Sequence, residues 1–323
     1  MWENLIPNPP IPQIRFLRLQ NAIFQSIDSP IHLQSYKASA MKNSDPYRIM
    51  HAITNMEHIG TPPELAFRLF AIAKKETSSI EQIAQEILKN PTVSAALLKL
   101  SNSAYYSRGL PIENVHQAIV HLGTKTVINL IVAIEMIGTF ENREDRSSFN
   151  INQYWKRSLA LALLAQEIAL LERREDTESA FLSGLLYDIG VLVLRQYFPD
   201  AFAEICELMS GKKCCFAEAC GTIGYLDHHQ IGRLIAMRWN LPKKILYLYS
   251  EPSTSLLDYV EVTANRNTVL FSDCQLTLNG IYAWDAHQKA DLNLAKLFAP
   301  GENFLKDFLK RLVSDVHEIR AAM

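Results

Sequence analysis

The stretch GLLYDIG, residues 184–190, lies at the centre of a mostly apolar segment that predicts a helix over residues 177–197, ended by Pro199. Tyr187 and Asp188 stand side by side within it. A carboxylate such as that of Asp188 can bind a divalent cation. A phenol has a reference pKa of about 10, so Tyr187 is protonated at pH 7 and makes a poor metal ligand. The stretch therefore indicates an apolar helical frame with one candidate metal ligand, Asp188, beside a side chain that is not one.

Helical periodicity also dominates the rest of the chain. Ser78 or Ser79 can cap a helix, with Glu81 or Gln82 closing a capping box. Apolar residues then recur at helical spacing as far as Leu88, which predicts one buried stripe. Further helix-end signals are Asn90-Pro91, Gly123 as a left-handed C-terminal cap, Thr124, Asp227 with Gln230, and Leu241-Pro242. The pattern predicts an all-α fold with short connections.

Composition favours a reduced, soluble, cytoplasmic protein. The chain has 323 residues, 48% of them hydrophobic, which is enough to bury a sizeable core. Its 32 basic and 34 acidic residues nearly cancel, which disfavours nucleic acid and anionic membranes as partners. The longest apolar runs, 127–140 and 159–171, are too short and too polar to span a bilayer, and no signal peptide is recognisable. The five cysteines lack zinc-ribbon spacing and are expected to be free thiols.

Five stretches carry a family resemblance. They are NPTVSAALLKLSNSAYY (90–106), QAIVHLG (117–123), YWKRSLA (154–160), AFLSGLLYDIG (180–190) and DHHQIG (227–232), the last followed by WNLP (239–242). In this order they resemble the HDOD family, the non-catalytic relatives of HD-type metal phosphohydrolases. The resemblance covers about residues 60 to 265. It implies an all-α, multi-helix bundle of HD/HDOD type with two helical subdomains.

A charged link at residues 141–148 predicts an internal subdomain boundary near 141–150. The expected domains are a partly helical N-terminal extension at 1–59, the HDOD-like helical domain at 60–265, and a C-terminal helical segment at 266–323. The apolar stripe between 304 and 319 is expected to pack on the domain, because it is too short for several coiled-coil heptads. Residues 268–278 have weak strand character, but the stretch is short and ambiguous.

The resemblance also assigns the metal-ligand positions of the HD enzymes, which are an early His, the His-Asp pair and a late Asp. These positions here carry Arg157, Tyr187 with Asp188, and Asn265. A guanidinium is permanently cationic and cannot bind a metal ion, so only Asp188 of the four ligands remains. A buried carboxylate needs a partner. We therefore predict that Arg157 forms an ion pair with Asp188 in the metal's place.

Relatives with two metals have further ligands at a His near His228 and at a His-His pair near residues 249–250. The first is kept as His228, and the second is lost. Asp188 and His228 alone are too few for a tight site, which normally takes three or four protein ligands plus water. The expectation is therefore no metal, no catalytic residue and no cofactor. Of His228 and His229, one is expected to pack and the other to face solvent.

The other polar motifs are explained by packing. Tyr105 and Tyr106 are expected to wedge between helices, and Asn102 to cap a helix or bond to buried backbone. His116 and His121 do not share a helix face well. The two helices around Gly123 have the order of a helix-turn-helix, but the second begins with a single basic residue, so a packing role is favoured.

These observations predict a non-catalytic signalling or regulatory scaffold that binds a partner protein or a small regulatory ligand. The resemblance implies a bacterial signal-transduction setting. Residues 1–59 lie outside the resemblance and are the expected partner contact. Two alternatives stay open: a residual HD-type metal-dependent phosphohydrolase acting on a nucleotide or phosphodiester, and a nucleic-acid-binding regulator. The oligomeric state does not follow from the sequence.

Overall fold

The computed structural model describes most of the chain after residue 62. The described residues are 63–73, 78–107, 111–141, 149–172, 177–241, 243–249, 256–281 and 302–323, with single positions at 49, 52, 53, 75, 109, 285, 287, 288 and 290. All of them belong to one compact unit, residues 43–323. The predicted link at 142–148 and nearly all of the predicted N-terminal extension lie outside the described residues.

The described elements form two successive helical groups and a closing helix. The first helical group contains α1 (Glu64–Ala73), α2 (Ile80–Leu88), α3 (Pro91–Ser101), α4 (Ala104–Ser107), α5 (Val115–Leu122) and α6 (Thr124–Glu141). The second helical group contains α7 (Ile151–Leu171), α8 (Thr177–Leu186), α9 (Ile189–Tyr197), α10 (Pro199–Lys212), α11 (Phe216–Ile223), α12 (His228–Arg238), α13 (Lys243–Leu246), a 3-10 turn (Tyr247–Tyr249) and α14 (Leu256–Leu278). The closing helix is α15 (Glu302–Ala322). No strand occurs among the described residues, and the all-α prediction is confirmed.

Helix starts in the first group follow the sequence signals. Ser79 and Gln82 form the predicted capping box at the start of α2. Asn90 caps α3, where Pro91 occupies the first turn. Asn102 ends α3, and its side-chain amide donates to the carbonyl of Ile112 (2.7 Å) and accepts from its N–H (2.9 Å). The predicted role of Asn102 as a partner for backbone is therefore confirmed.

Gly123 joins α5 to α6 without the predicted left-handed cap. Its φ is positive (83°), but its ψ of 150° lies outside the left-handed helical region. The N–H of Gly123 donates to the carbonyl of Ile119 and closes α5, whereas its own carbonyl accepts from Val127 and opens α6. One residue thus serves two helices, whose axes differ by 117°. Only glycine adopts such a positive φ without strain.

The start of α1 is capped from a distant helix. Glu135 on α6 accepts hydrogen bonds from the N–H groups of Leu65 (3.2 Å) and Ala66 (2.9 Å), one on each carboxylate oxygen. The first N–H groups of a helix have no partner within it and attract negative charge. Burial raises the pKa of Glu135, and the two backbone hydrogen bonds only partly oppose that rise. Glu135 therefore fixes α1 on α6.

Replacing Glu135 with alanine is expected to lower the free energy of unfolding by about 1–2 kcal/mol, the usual cost of a lost helix cap. Glu135→Gln keeps one acceptor oxygen and is expected to lose less. Urea unfolding followed by circular dichroism measures all three proteins. An unfolding midpoint in Glu135→Ala equal to that of the wild type would contradict the capping role.

The central element of the second group is α7. Its residues are buried on every face, including Tyr154, Trp155 and Leu164, each 0% exposed, which is typical of a core helix. It packs against α8, α14 and α15. The contact with α8 is close, since a Cβ at Gly184 would lie 2.7 Å from the Ala162 backbone. Glycine at position 184 therefore lets these two helices touch along their backbones.

The single helix predicted over residues 177–197 is divided into α8 and α9 at Tyr187 and Asp188. Asp188 has a φ of −102° and a ψ of 16°, and the chain turns there. Both helices are buried on all sides, so the apolar pattern runs unbroken through the turn. Hydrophobic periodicity alone therefore does not reveal the break.

The segment Thr177–Tyr197 is long and apolar enough to cross a bilayer, but 89% of it is buried inside the fold. Among the described residues, α5 and α6 pass the same test only as a bent pair. Buried apolar helices of this kind are typical of a protein core. The cytoplasmic location stays a prediction.

The closing helix α15 packs on the bundle. Leu312, Val316 and Ile319 are 0–1% exposed, and α15 contacts α7 of the second group together with α3 and α4 of the first. Lys99 on α3 donates to the carbonyl of Ala321 at 2.5 Å. Residues 268–278, with their weak strand character, are helical and belong to α14.

Candidate functional site

The predicted site residues come from four parts of the second helical group. Arg157 lies on α7, Tyr187 and Asp188 form the turn between α8 and α9, and His228 is the first residue of α12. Asn265 lies on α14, but its side chain is outside the described residues. Because α7 packs on α8 and α9 packs on α12, these positions come to neighbouring parts of one core.

Arg157 is bound by a different acidic residue from the one predicted. Its Nη2 lies 2.6 Å from Oδ1 of Asp273 and 2.7 Å from Oγ1 of Thr277, both on α14. Its Nη1 donates to the carbonyl of Ile281 at 3.1 Å. The side chain is 1% exposed. The predicted Arg157–Asp188 ion pair is therefore wrong, because Asp273 neutralises the cation.

Asp188 instead faces two adjacent histidines. Its Oδ1 lies 3.4 Å from Nε2 of His228 and 3.7 Å from Nε2 of His229. Asp188 is 4% exposed, and although it holds the N-cap position of α9, its side chain makes no capping hydrogen bond there. Burial alone would raise the pKa of Asp188, but the two histidines outweigh burial and hold this pKa below its usual range.

The two histidines differ in exposure. His228 is buried, and the side chain of His229 is 35% exposed, so the prediction that one packs and the other faces solvent is confirmed. Burial would lower the pKa of His228, but the contact with Asp188 outweighs burial and raises it. The imidazole rings lie 4.1 Å apart between centroids. We call Asp188, His228 and His229 the carboxylate–histidine cluster.

Two tyrosines enclose the cluster. The ring of Tyr187 lies 4.5 Å from that of His229. The hydroxyl of Tyr249, in the 3-10 turn, donates to the carbonyl of Leu186 at the end of α8. Burial raises the pKa of Tyr187 well above its usual value, so its phenol stays protonated at neutral pH. This supports the interpretation of Tyr187 as a poor metal ligand.

Two glycines bring the helices of the cluster together. A Cβ at Gly190 would lie 1.9 Å from the carbonyl oxygen of His228. A Cβ at Gly232 would lie 2.7 Å from the ring of Tyr249. The start of α9 therefore rests directly on the backbone of α12. This contact is what places Asp188 beside the histidines.

The carboxylate–histidine cluster fits a metal ion of zinc type. Each residue offers one ligand atom, and all three atoms lie within 4.8 Å of one another. Ligand atoms around a tetrahedral ion with bonds of about 2.0–2.1 Å are about 3.3 Å apart, close to the separations from Asp188. The sequence supplied only Asp188 and His228 as candidate ligands. It missed His229, because neighbouring residues on a helix usually point in different directions.

The chain matches a known protein family. The family model for the HDOD domain matches residues 59–252, more than half of the chain. The chain belongs to the HDOD family. HDOD domains are related to HD-type phosphohydrolases. The predicted division at 1–59, 60–265 and 266–323 stays a prediction. An uncharacterized protein from Treponema pallidum (strain Nichols) is 21% identical over 196 residues, which is 59% of this chain but only 37% of the length of that relative.

Solved structures share the HDOD fold. An HDOD domain protein with unknown function from Geobacter sulfurreducens has a TM-score of 0.68 at 21% identity, covering 86% of this chain and 96% of that one. A "Putative phosphohydrolase" from Shewanella amazonensis SB2B gives 0.63 at 19% identity, over 86% and 99%. A "Putative signal transduction protein" from Marinobacter aquaeolei VT8 gives 0.64 at 18% identity, over 88% and 66%. At these identities the likeness shows the fold.

Proposed function

We propose that this HDOD protein is a non-catalytic regulatory module that binds a partner protein or a small regulatory ligand in bacterial signal transduction. The observation that carries the proposal is the buried contact between Arg157 and Asp273. The HD resemblance assigns the position of Arg157 to a metal-binding histidine. A guanidinium cannot bind a metal ion, and that of Arg157 is held by Asp273 at 2.6 Å.

The second altered position supports the same conclusion. Tyr187 stands where the HD enzymes carry the histidine of the His-Asp pair, and its buried phenol keeps its proton. Two-metal hydrolases need ligands for both ions around the attacking and leaving oxygens. Arg157 and Tyr187 therefore occupy two of the four positions that the resemblance assigns to metal ligands, and neither side chain is suited to bind a metal ion. The name of the Marinobacter relative agrees with a signalling role.

A metal-dependent phosphohydrolase is the second candidate, and the carboxylate–histidine cluster favours it. Three ligand atoms with an open side are the usual protein contribution to a catalytic zinc site. The name of the Shewanella relative agrees with this alternative. The two candidates differ in turnover, which a direct assay separates. Nucleic-acid binding has weaker support, because the basic and acidic residues nearly cancel.

The purified chain is expected to hydrolyse neither bis(p-nitrophenyl) phosphate nor a cyclic dinucleotide with added Mn²⁺ or Zn²⁺, beyond the rate of an Asp188→Ala variant. Calorimetric binding of a nucleotide without turnover supports a regulatory ligand. Wild-type turnover that disappears in Asp188→Ala contradicts the proposal and establishes the enzyme. Under the proposal, hydrolysis first requires the combined changes Arg157→His, Tyr187→His and Asn265→Asp.

The predicted partner contact at residues 1–59 remains part of the proposal. Nearly all of these residues lie outside the described structure. The HDOD match begins at residue 59, so the segment precedes the family domain. A regulatory module needs a surface that its own fold does not use, and a segment that precedes the family domain in the sequence is a candidate for it.

A further inference from the structure

We propose that Asp188, His228 and His229 bind one divalent cation of zinc type, and that this ion ties the start of α9 to the start of α12. The ligand set is one carboxylate oxygen and two imidazole nitrogens. Such a set suits Zn²⁺, Co²⁺, Ni²⁺ or Cu²⁺, whereas Mg²⁺ and Ca²⁺ prefer oxygen ligands alone. The proposal is independent of the proposed regulatory function, because an ion can hold helices together without catalysing a reaction.

Both histidine nitrogens lie close to one carboxylate oxygen of Asp188. Nε2 of His228 and Nε2 of His229 lie 3.4 and 3.7 Å from the same oxygen of Asp188. The third separation, between the ligand atoms of the two histidines, is at most 4.8 Å. The separation for His229 is too long for a hydrogen bond. The two separations from Asp188 are close to the distance of about 3.3 Å between neighbouring ligands of a tetrahedral zinc ion.

His229 gives an independent indication. Its Nε2 is a buried atom that makes no hydrogen bond within the described part of the chain. A buried polar atom without such a bond normally has a reason, and the binding of an ion is one such reason. The adjacent positions of His228 and His229 matter here, because they are the first two residues of α12.

The positions of the three residues show which helices a bound ion would connect. Asp188 stands at the N-cap position of α9, and both histidines belong to the first turn of α12. The side chain of His229 is 35% exposed, although its Nε2 is buried, so the cluster lies just beneath the surface. The hydroxyl of Tyr249 is already bonded to Leu186 and does not compete for the ion. Bound metal therefore links α9 directly to α12.

Titration of the full-length, EDTA-treated protein with Co²⁺ and Zn²⁺ tests the proposal. We expect one ion per chain, the visible absorption of four- or five-coordinate cobalt without the charge-transfer bands of a thiolate, and a higher unfolding temperature with Zn²⁺. The missing thiolate bands separate this site from the five cysteines. His229→Gln and Asp188→Asn are each expected to weaken binding at least about tenfold, since even outer-shell changes cost 10- to 100-fold.

The matched control is His116→Gln, an exposed histidine beside Glu81 and outside the cluster, which is expected to bind as the wild type does. His229 also stabilises the charged form of Asp188, so His229→Gln is expected to have a lower unfolding temperature than the wild type in EDTA. The readout is therefore the rise in unfolding temperature that Zn²⁺ adds to each protein's own value in EDTA, which is expected to disappear in His229→Gln. No saturable binding at micromolar metal, or binding that both cluster variants retain, overturns the proposal. Metal binding without hydrolysis supports both proposals, and metal binding with hydrolysis contradicts only the regulatory function. Absence of both metal binding and hydrolysis refutes only the ion site.

Discussion

The variant Gly190→Ala is expected to lose about 3 kcal/mol of unfolding free energy, because a methyl group does not fit where α9 meets α12. Its Cβ would lie 1.9 Å from the carbonyl oxygen of His228 and 2.7 Å from the carbonyl carbon. Both are backbone atoms, so no side-chain rotation relieves the contact. The helices must separate and lose buried packing around Asp188. Guanidinium unfolding followed by tryptophan fluorescence and circular dichroism gives the difference.

Gly138→Ala is the matched control. Gly138 lies within α6, is exposed, and a Cβ added to it would meet nothing within 4 Å. The same substitution there is expected to raise stability by about 0.5–1 kcal/mol, because alanine favours the helix. A loss below about 1 kcal/mol in Gly190→Ala would show that α9 and α12 separate easily, contrary to the close contact.

The variant Arg157→Met is expected to cost about 3–5 kcal/mol, the range for removing one partner of a buried ion pair. Burial raises the pKa of Asp273, and without the guanidinium 2.6 Å away its buried carboxylate would have either to stay charged without a partner or to take up a proton. Thr277 and the carbonyl of Ile281 would also lose their donors. Methionine fills much of the volume, so the loss reflects charge and hydrogen bonding more than a cavity. Chemical unfolding of the purified variant measures it.

A double-mutant cycle separates the pair from its surroundings. Arg157→Met with Asp273→Leu is expected to be more stable than Arg157→Met alone, because no unpaired charge remains. Arg68→Met is the control, since Arg68 bonds to Glu86 with its side chain 54% exposed, and is expected to lose only about 0.2–1 kcal/mol. Equal losses in Arg68→Met and Arg157→Met would contradict a structural role for the buried pair.

The sequence predicts local structure well because the signals are local. The capping box of Ser79 and Gln82 involves residues three apart, and so does that of Asp227 and Gln230. Each exchanges hydrogen bonds within one helical turn. The all-α fold and the packing of α15 follow from the same kind of short-range pattern. The turn at Asp188 escaped prediction because burial on all sides removes the polar face that periodicity depends on.

The candidate site was only partly predictable because its contacts are long-range. Arg157 was predicted to pair with Asp188, but its acidic partner is Asp273, which lies 116 residues further along the chain, and no spacing rule connects the two. Asp188 and His228 were identified by resemblance. His229 joined them only through the docking of α9 on α12, which depends on a close approach at Gly190.

The position of α15 has a consequence for how the protein is made. This helix follows every other described element in the chain, yet its apolar stripe covers part of α7 and touches α3 and α4. While the ribosome is still synthesising residues 302–322, the rest of the bundle has an uncovered apolar surface. Such a surface on a nascent chain attracts chaperones and other unfinished chains. Docking of α15 therefore removes this part of the apolar surface from contact with other chains.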